Sequence, residues 1–310
     1  MLKQHPSRSG RGGTARRHRG RQWLPARVLV ATCLAGAAFA GSPAEPDVSH
    51  WAIAPFFGTG AYRISAEQRI FAIGYAPRWT IEESSDDWID DRPVGIEIVM
   101  PMALGLNSFD IDEIEEIVDI GNIATVSVVP GVYVTIPMSA RWTLLGIANL
   151  GAGIRLDGDG SALTYRAGVR SRYRFGDPQG LRWSLLSTIE YIGYRTDGGR
   201  SADVLPISLG VEFENRLAMT VEDAPVDLVT HLVATDYVGE LRFDLAGQLE
   251  GLYSGDIEIG FALHPAAGFR LLGFDFERIG IAFRGGLEAD GTDASGFRAV
   301  RIYFRSVFTQ

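Results

Sequence analysis

Residues 162–175 read ALTYRAGVRSRYRF. Leu163, Tyr165, Ala167, Val169, Tyr173 and Phe175 share one parity, and Arg166, Gly168, Arg170, Arg172 and Arg174 share the other. Successive side chains of a strand point to opposite faces, so this stretch predicts a strand with one apolar face and one arginine ladder.

The pattern repeats on both sides of it. In 181–194, Leu181, Trp183, Leu185, Ile189 and Tyr191 oppose Arg182, Ser184, Thr188 and Glu190. In 204–217, Leu205, Ile207, Leu209, Val211 and Phe213 oppose Ser208, Gly210, Glu212, Glu214 and Arg216. Val94, Ile96, Ile98, Met100 and Met102 oppose Glu97, and Ile257, Ile259, Phe261 and Leu263 oppose Glu258. In 123–136, Val126, Val128, Val132, Val134 and Ile136 oppose Thr125, Ser127, Tyr133 and Thr135. Ile279, Ile281 and Phe283 oppose Arg278 and Arg284. Glycine at 37 of 310 residues, well above the usual roughly 7%, also suits strands and turns. About twelve such segments are predicted, starting near 51, 69, 93, 123, 140, 162, 180, 203, 228, 255, 276 and 297. Those near 51 and 228 have no clean parity.

The joints have two sizes. Met138-Ser139 and Gly176-Asp177-Pro178 make short turns, whereas 105–122, 239–254 and 286–295 are long. If the chain starts and ends in the periplasm, the short turns fall on the periplasmic side and the long joints outside. One joint predicts a short helix, 110–119, with Asp110 and Glu113 as its capping box and Ile111, Ile114, Ile117 and Val118 on one face.

The N-terminus predicts export. Residues 1–27 hold eight of the 29 basic residues and no acid, and Val28–Ala40 follows as a short apolar run ending Ala38-Phe39-Ala40. This is the layout of a signal peptide, 1–40, cleaved near Ala40. The run is too short to anchor a mature protein as a helix. A twin-arginine signal at Arg16-Arg17 and a lipoprotein cysteine at Cys33 fit less well, because neither has the usual flanking residues. Cleavage leaves 21 arginines against 38 acids, a net charge near −17, which argues against a nucleic-acid partner. It also removes the one cysteine, and with it disulfide and thiolate chemistry. A polar leader, 41–50, then precedes a single barrel domain, 51–310, with no composition break.

Alternation alone also suits a soluble sandwich. Export, many long two-faced segments without a disulfide, and aromatics near strand ends (Trp79, Trp142, Tyr173, Phe175, Trp183) favour a transmembrane barrel, which has no edge to protect. The predicted fold class is therefore all-β: a transmembrane, antiparallel, up-and-down β-barrel of about twelve strands in the outer membrane. Its surroundings are outer-membrane lipid and lipopolysaccharide. The last strand, with Val300, Ile302, Phe304 and Phe308 opposite Arg301, Tyr303 and Arg305, resembles the signal read by the barrel assembly machinery, except that Thr309-Gln310 follow the final aromatic.

Three stretches, TVSVVPGVYVTIPMSARWTLLGIANLGAG (125–153), YRAGVRSRYRF (165–175) and LLGFDFERIGIAFR (271–284), resemble the solitary outer-membrane autotransporter-like β-barrel family. The resemblance covers most of 51–310. It implies a twelve-stranded translocator-type barrel without a secreted passenger, and it transfers no catalytic residue.

The chemistry of the inner face rests on Arg166, Arg170, Arg172, Arg174, Arg182, Arg278, Arg284, Arg301 and Arg305. Two readings stand side by side. The arginines could line a pore that admits a small anionic solute. Alternatively they could pair with Glu97, Glu190, Glu212, Glu214 and Glu258 and fill the interior. Carboxylates crowd 82–91 and 110–119 without EF-hand spacing, and Asp157-Gly158-Asp159-Gly160 lacks the required later glycine, so solvated loops are expected there. His50, His231 and His264 have no neighbour at metal-ligand spacing, and no nucleophile motif surrounds them. No phosphate loop is present. The expectation is a non-enzymatic envelope protein with no cofactor and no metal, with the anion channel, and then a surface-loop interaction protein, as alternatives.

Overall fold

The structure, a computed structural model, describes residues 54–63, 69–84, 94–107, 123–156, 160–176, 181–199, 201–221, 223–245, 248–271, 274–288, 298–306 and 308–309. The leader, the predicted helix at 110–119 and most of the acidic stretch 82–91 lie outside them.

The described chain is a short helix followed by strands. Helix α1 is Ala54–Phe57. The first strands are β1 (Thr59–Arg63), β2 (Arg69–Tyr75), β3 (Arg78–Glu82), β4 (Gly95–Val99), β5 (Met102–Asn107), β6 (Ile123–Val128) and β7 (Gly131–Pro137). Longer ones follow: β8 (Trp142–Arg155), β9 (Ser161–Gly176), β10 (Arg182–Thr196), β11 (Ser201–Val221), β12 (Ala224–Leu245) and β13 (Gln248–Pro265). A small hairpin, β14 (Phe269–Leu271) with β15 (Phe274–Phe276), precedes β16 (Ile279–Glu288) and β17 (Arg298–Tyr303).

These strands make twelve spans. Three spans are each split in two, as β2 with β3, β4 with β5, and β6 with β7. Every span pairs antiparallel with its sequence neighbours, and β1 pairs with β17, Thr59 opposite Ile302 and Arg63 opposite Arg298. The sheet therefore closes into an all-β, twelve-strand, up-and-down barrel with no free edge.

Proline explains the three splits. Pro77, Pro101 and Pro130 lie on neighbouring spans and form a row across the wall. Proline has no N–H to give to a ladder. Their carbonyls still accept, from the N–H groups of Met100 (3.0 Å), Val129 (2.8 Å) and Leu150 (2.9 Å) respectively. Each break is two residues long, so parity survives it: Glu97 and Val99 before the break and Ala103 after it all point inward.

The two faces differ as the alternation requires. Leu150, Leu163, Ile189, Leu209, Phe261, Ile281 and Ile302 are exposed on the outside, Leu209 at 60%. An apolar band on the outside of a closed barrel faces hydrocarbon. At one end of the barrel, Phe175 stacks on Trp183 at 3.9 Å, Tyr173 meets Phe175 at 4.6 Å, and Trp142 Nε1 donates to Ser171 Oγ at 2.9 Å. This end also carries the joint 138–141 and is the proximal end. Such an aromatic belt belongs where lipid meets water. A twelve-strand barrel of this kind implies an outer-membrane location.

Three features depart from expectation. The segment near 51 begins with α1, and its strand starts only at Thr59, because Ala54-Pro55-Phe56-Phe57 is apolar on every side and has no two-faced alternation. The joint predicted at 239–254 is largely strand: Leu241 pairs with Tyr253 and Leu245 with Gln248. Glycines at 247, 251 and 255 hide the alternation there. The last strand ends at Tyr303, and Phe308 lies inside the barrel, not on the lipid face. Ser306 turns the chain back, its carbonyl accepting from the Thr309 N–H at 2.9 Å and its Oγ from the Phe308 N–H at 3.3 Å.

Candidate functional site: the barrel lumen

Strand parity places the ladder on the inner face. Arg166, Arg170, Arg172 and Arg174 follow one another down β9 towards the proximal end, and Glu190 and Arg182 lie on β10 beside them. Glu212 and Glu214 come from β11, Glu258 from β13, Arg284 from β16 and Arg301 from β17. Arg278 directly precedes β16, and Arg305 follows the end of β17.

Glu190 sits between two arginines. Arg166 donates to it from Nε and Nη2, both at 2.8 Å, and Arg170 Nε donates at 2.7 Å. All three side chains are buried. The guanidinium fork matches a carboxylate edge, which makes this the strong form of an ion pair.

Nearer the proximal end the charges form a chain of alternating sign. Glu277 binds Arg278 (2.7 Å), Arg278 binds Glu212 (2.9 Å) and Glu212 binds Arg172 (3.0 Å). Arg172 binds Glu214 (3.0 Å), Glu214 binds Arg182 (3.1 Å), Arg182 binds Asp227, and Asp227 binds Arg216. The link from Arg278 to Glu212 passes over β13 and β12 and so joins spans that are not neighbours. Four positive and four negative groups alternate, which leaves the assembly neutral.

A third group lies farther from the proximal end. Arg301 pairs with Glu258, and His231 Nε2 lies 3.1 Å from Glu258 Oε1. Tyr303 Oη is 3.4 Å from His231 Nδ1, so a proton on Nε2 satisfies both contacts. Arg284 pairs with Asp256 at 2.6 Å, and the Tyr237 hydroxyl donates to the same carboxylate. Each of the five carboxylates offered as arginine partners, Glu97 included through Arg78 at 3.0 Å, lies in an ion pair.

α1 lies within this charged interior. Phe56 is 5.2 Å below the Arg166 guanidinium and Phe57 is 6.0 Å from that of Arg284. The Tyr62 hydroxyl donates to the carbonyls of Phe57 (2.6 Å) and Gly58 (2.9 Å) and fastens the helix to β1. A cavity of about 150 Å³ remains between Phe56, Phe57, Arg166, Glu190, Arg284 and Arg301. That is room for on the order of ten waters. A second, of about 120 Å³, lies between Pro55 and Phe56 of α1 and Phe304 and Arg305 of the tail.

Several participants escape a reading of the sequence. Asp256 has the parity of Glu258 and was findable by extending that alternation two residues. Asp227 adjoins a segment whose parity is ambiguous, and Glu277 precedes its strand. His231 is buried in the lumen and His264 is half-buried near the proximal end. Among the described residues, no three His, Cys, Asp or Glu side chains come together as a metal site.

No family model matches this sequence, and no curated protein matches it. Among solved structures, the barrel matches the crystal structure of the beta domain of the Bordetella autotransporter BrkA, with 14% identity and a TM-score of 0.48. The match covers 79% of this chain and 95% of that one. The likeness is one of fold.

Proposed function

We propose that this chain is an outer-membrane barrel of autotransporter-translocator type that serves the envelope as a closed, non-enzymatic protein. The observation behind this reading is the ion pairing of the ladder. Seven of the arginines that would draw anions through an open bore are instead bound to carboxylates, and the link from Arg278 to Glu212 reaches over two intervening strands. α1 takes up further space. An ion path would have to break charge-assisted contacts whose partners are buried, and breaking one such pair costs several kcal/mol.

In this reading the apolar outer face meets outer-membrane lipid and the distal rim meets lipopolysaccharide. β17, with Val300 and Ile302 outward, is the strand offered to the assembly machinery. The extended β12–β13 hairpin and the distal joints are the parts displayed at the surface.

Planar-bilayer recording of the folded protein tests the reading. The expected result is a silent baseline under moderate voltage. Stable conductance steps with an anion-selective reversal potential, lost in Arg170→Glu and Arg172→Glu, would instead establish the channel.

A further inference from the structure

We propose that residues 304–306 with Phe308 and Thr309 form a latch. The segment is seated in a socket of the lumen wall near the proximal mouth of the barrel and is held there. This deepens the closed-barrel reading and uses a separate measurement.

The socket is an apolar patch beside the ion-pair web. Phe308 is only 7% exposed and packs in one cluster with Val99, Tyr133, Leu145, Ile147 and Leu186. Leu145 and Ile147 are inward residues of β8, and Leu186 is an inward residue of β10. Arg166, Arg170, Glu190, Ser184 and Thr188 are inward neighbours on β9 and β10, and these three apolar side chains have no role in the ion pairs. Burying a phenylalanine against them gives them one.

The proline row helps shape the seat. Val99 ends β4 directly before the Met100-Pro101 break, and Ala76, beside Pro77, packs against the same cluster.

Polar contacts hold the backbone of the tail. Arg170 Nη1 donates to the Phe308 carbonyl at 3.0 Å, and Arg78 donates to the Thr309 carbonyl. The Ser306 N–H donates to Glu277 Oε2 at 3.3 Å, and Ser306 itself is buried. Phe304 lies 4.6 Å from Phe276 at the rim. These contacts come from β3, β9 and the segment before β16, on well-separated parts of the wall. A strand tail that merely ran off the barrel would meet only its neighbours, β16 and β1. Arg170 also holds Glu190, so the seat of the tail and the ion-pair web share one side chain.

Carboxypeptidase digestion of the folded full chain in detergent, read by mass spectrometry, tests the latch. The native barrel is expected to lose no more than residues 309–310 while urea-unfolded protein is trimmed past 304. Phe308→Asp puts a charge in the socket, and Leu186→Trp overfills it without touching the tail. Either is expected to raise trimming past residue 308 at least tenfold in protein shown to be folded by heat-modifiable mobility. The latch is overturned if folded native protein is trimmed past 308 as fast as the unfolded control, or if a folded variant stays as resistant as the native barrel. The native arm decides even if neither variant folds. Conductance plays no part in it, so a conducting barrel with a protected tail would sink the closed-barrel reading and spare the latch.

Discussion

Arg166 grips Glu190 through two nitrogens at 2.8 Å each, and Arg170 reaches the same carboxylate from four residues further along the strand. One carboxylate thus answers two guanidiniums, all three groups buried. Glu190→Ala leaves both cations in the lumen without it, and the expected loss is about 3–5 kcal/mol of stability. Replacing Arg166, Arg170 and Glu190 together by apolar residues of similar volume is expected to recover most of it. Urea unfolding in vesicles gives both numbers, and a loss under 1 kcal/mol for the single variant would refute the argument.

Glu277 gives the proximal rim a pH dependence. Burial opposes its ionisation, but Arg278 beside it and the Ser306 amide hold its carboxyl below the ordinary value of about 4.5. As pH falls the unfolded chain takes up the proton first, so the stabilisation is complete above 4.5 and is lost as pH drops through the lowered value. The melting midpoint of the native protein should exceed that of Glu277→Gln near neutrality, and the gap should close in acid. Parallel curves from pH 7 downward would count against it.

Two glycines of the wall should behave in opposite ways. A Cβ on Gly260 would come within 2.2 Å of His231 Cε1, whereas one on Gly285 meets no heavy atom within 4 Å. Gly260→Ala must push His231 off Glu258 and is expected to cost about 1–3 kcal/mol. Gly285→Ala should stay within about 0.5 kcal/mol. Thermal melts of the pair check this, and equal effects would contradict it.

Leu209 tests which solvent the outer face meets. It points outward near the middle of β11 and is 60% exposed. Arginine there should cost about 2–4 kcal/mol in a bilayer. The same change on a water-facing wall should cost within about 0.5 kcal/mol. Folding titrations in lipid vesicles distinguish the two.

Much of this barrel was legible in its sequence wherever the two faces differ in polarity. β8 to β11 read cleanly because lipid selects one parity and the charged lumen selects the other. The parity of Arg166 to Arg174 and of Glu190, Glu212 and Glu214 follows from the same rule. Legibility failed where that contrast fails. Ala54–Phe57 is apolar all round because it is surrounded by protein, so α1 hid within an apparent strand. Glycine left 247–255 without a pattern. Phe308 resembles a lipid-facing residue because its socket is as apolar as lipid. The links from Arg278 to Glu212 and from Arg170 to Phe308 join spans that are not neighbours, and periodicity along one strand carries no such information.

The alternating chain from Glu277 to Arg216 bears on how this protein can change over generations. Glu212, Glu214, Arg172 and Arg182 each serve two partners, so replacing any one of them takes a partner from two opposite charges at once. A lineage cannot drift through such positions by independent single steps at little cost. Relatives should differ there in linked sets, whole runs of charge exchanged together or left alone, while the lipid-facing leucines, isoleucines and valines opposite them interchange freely. Such co-inheritance would mark the inner wall of a distant relative even where no residue identity remains to align.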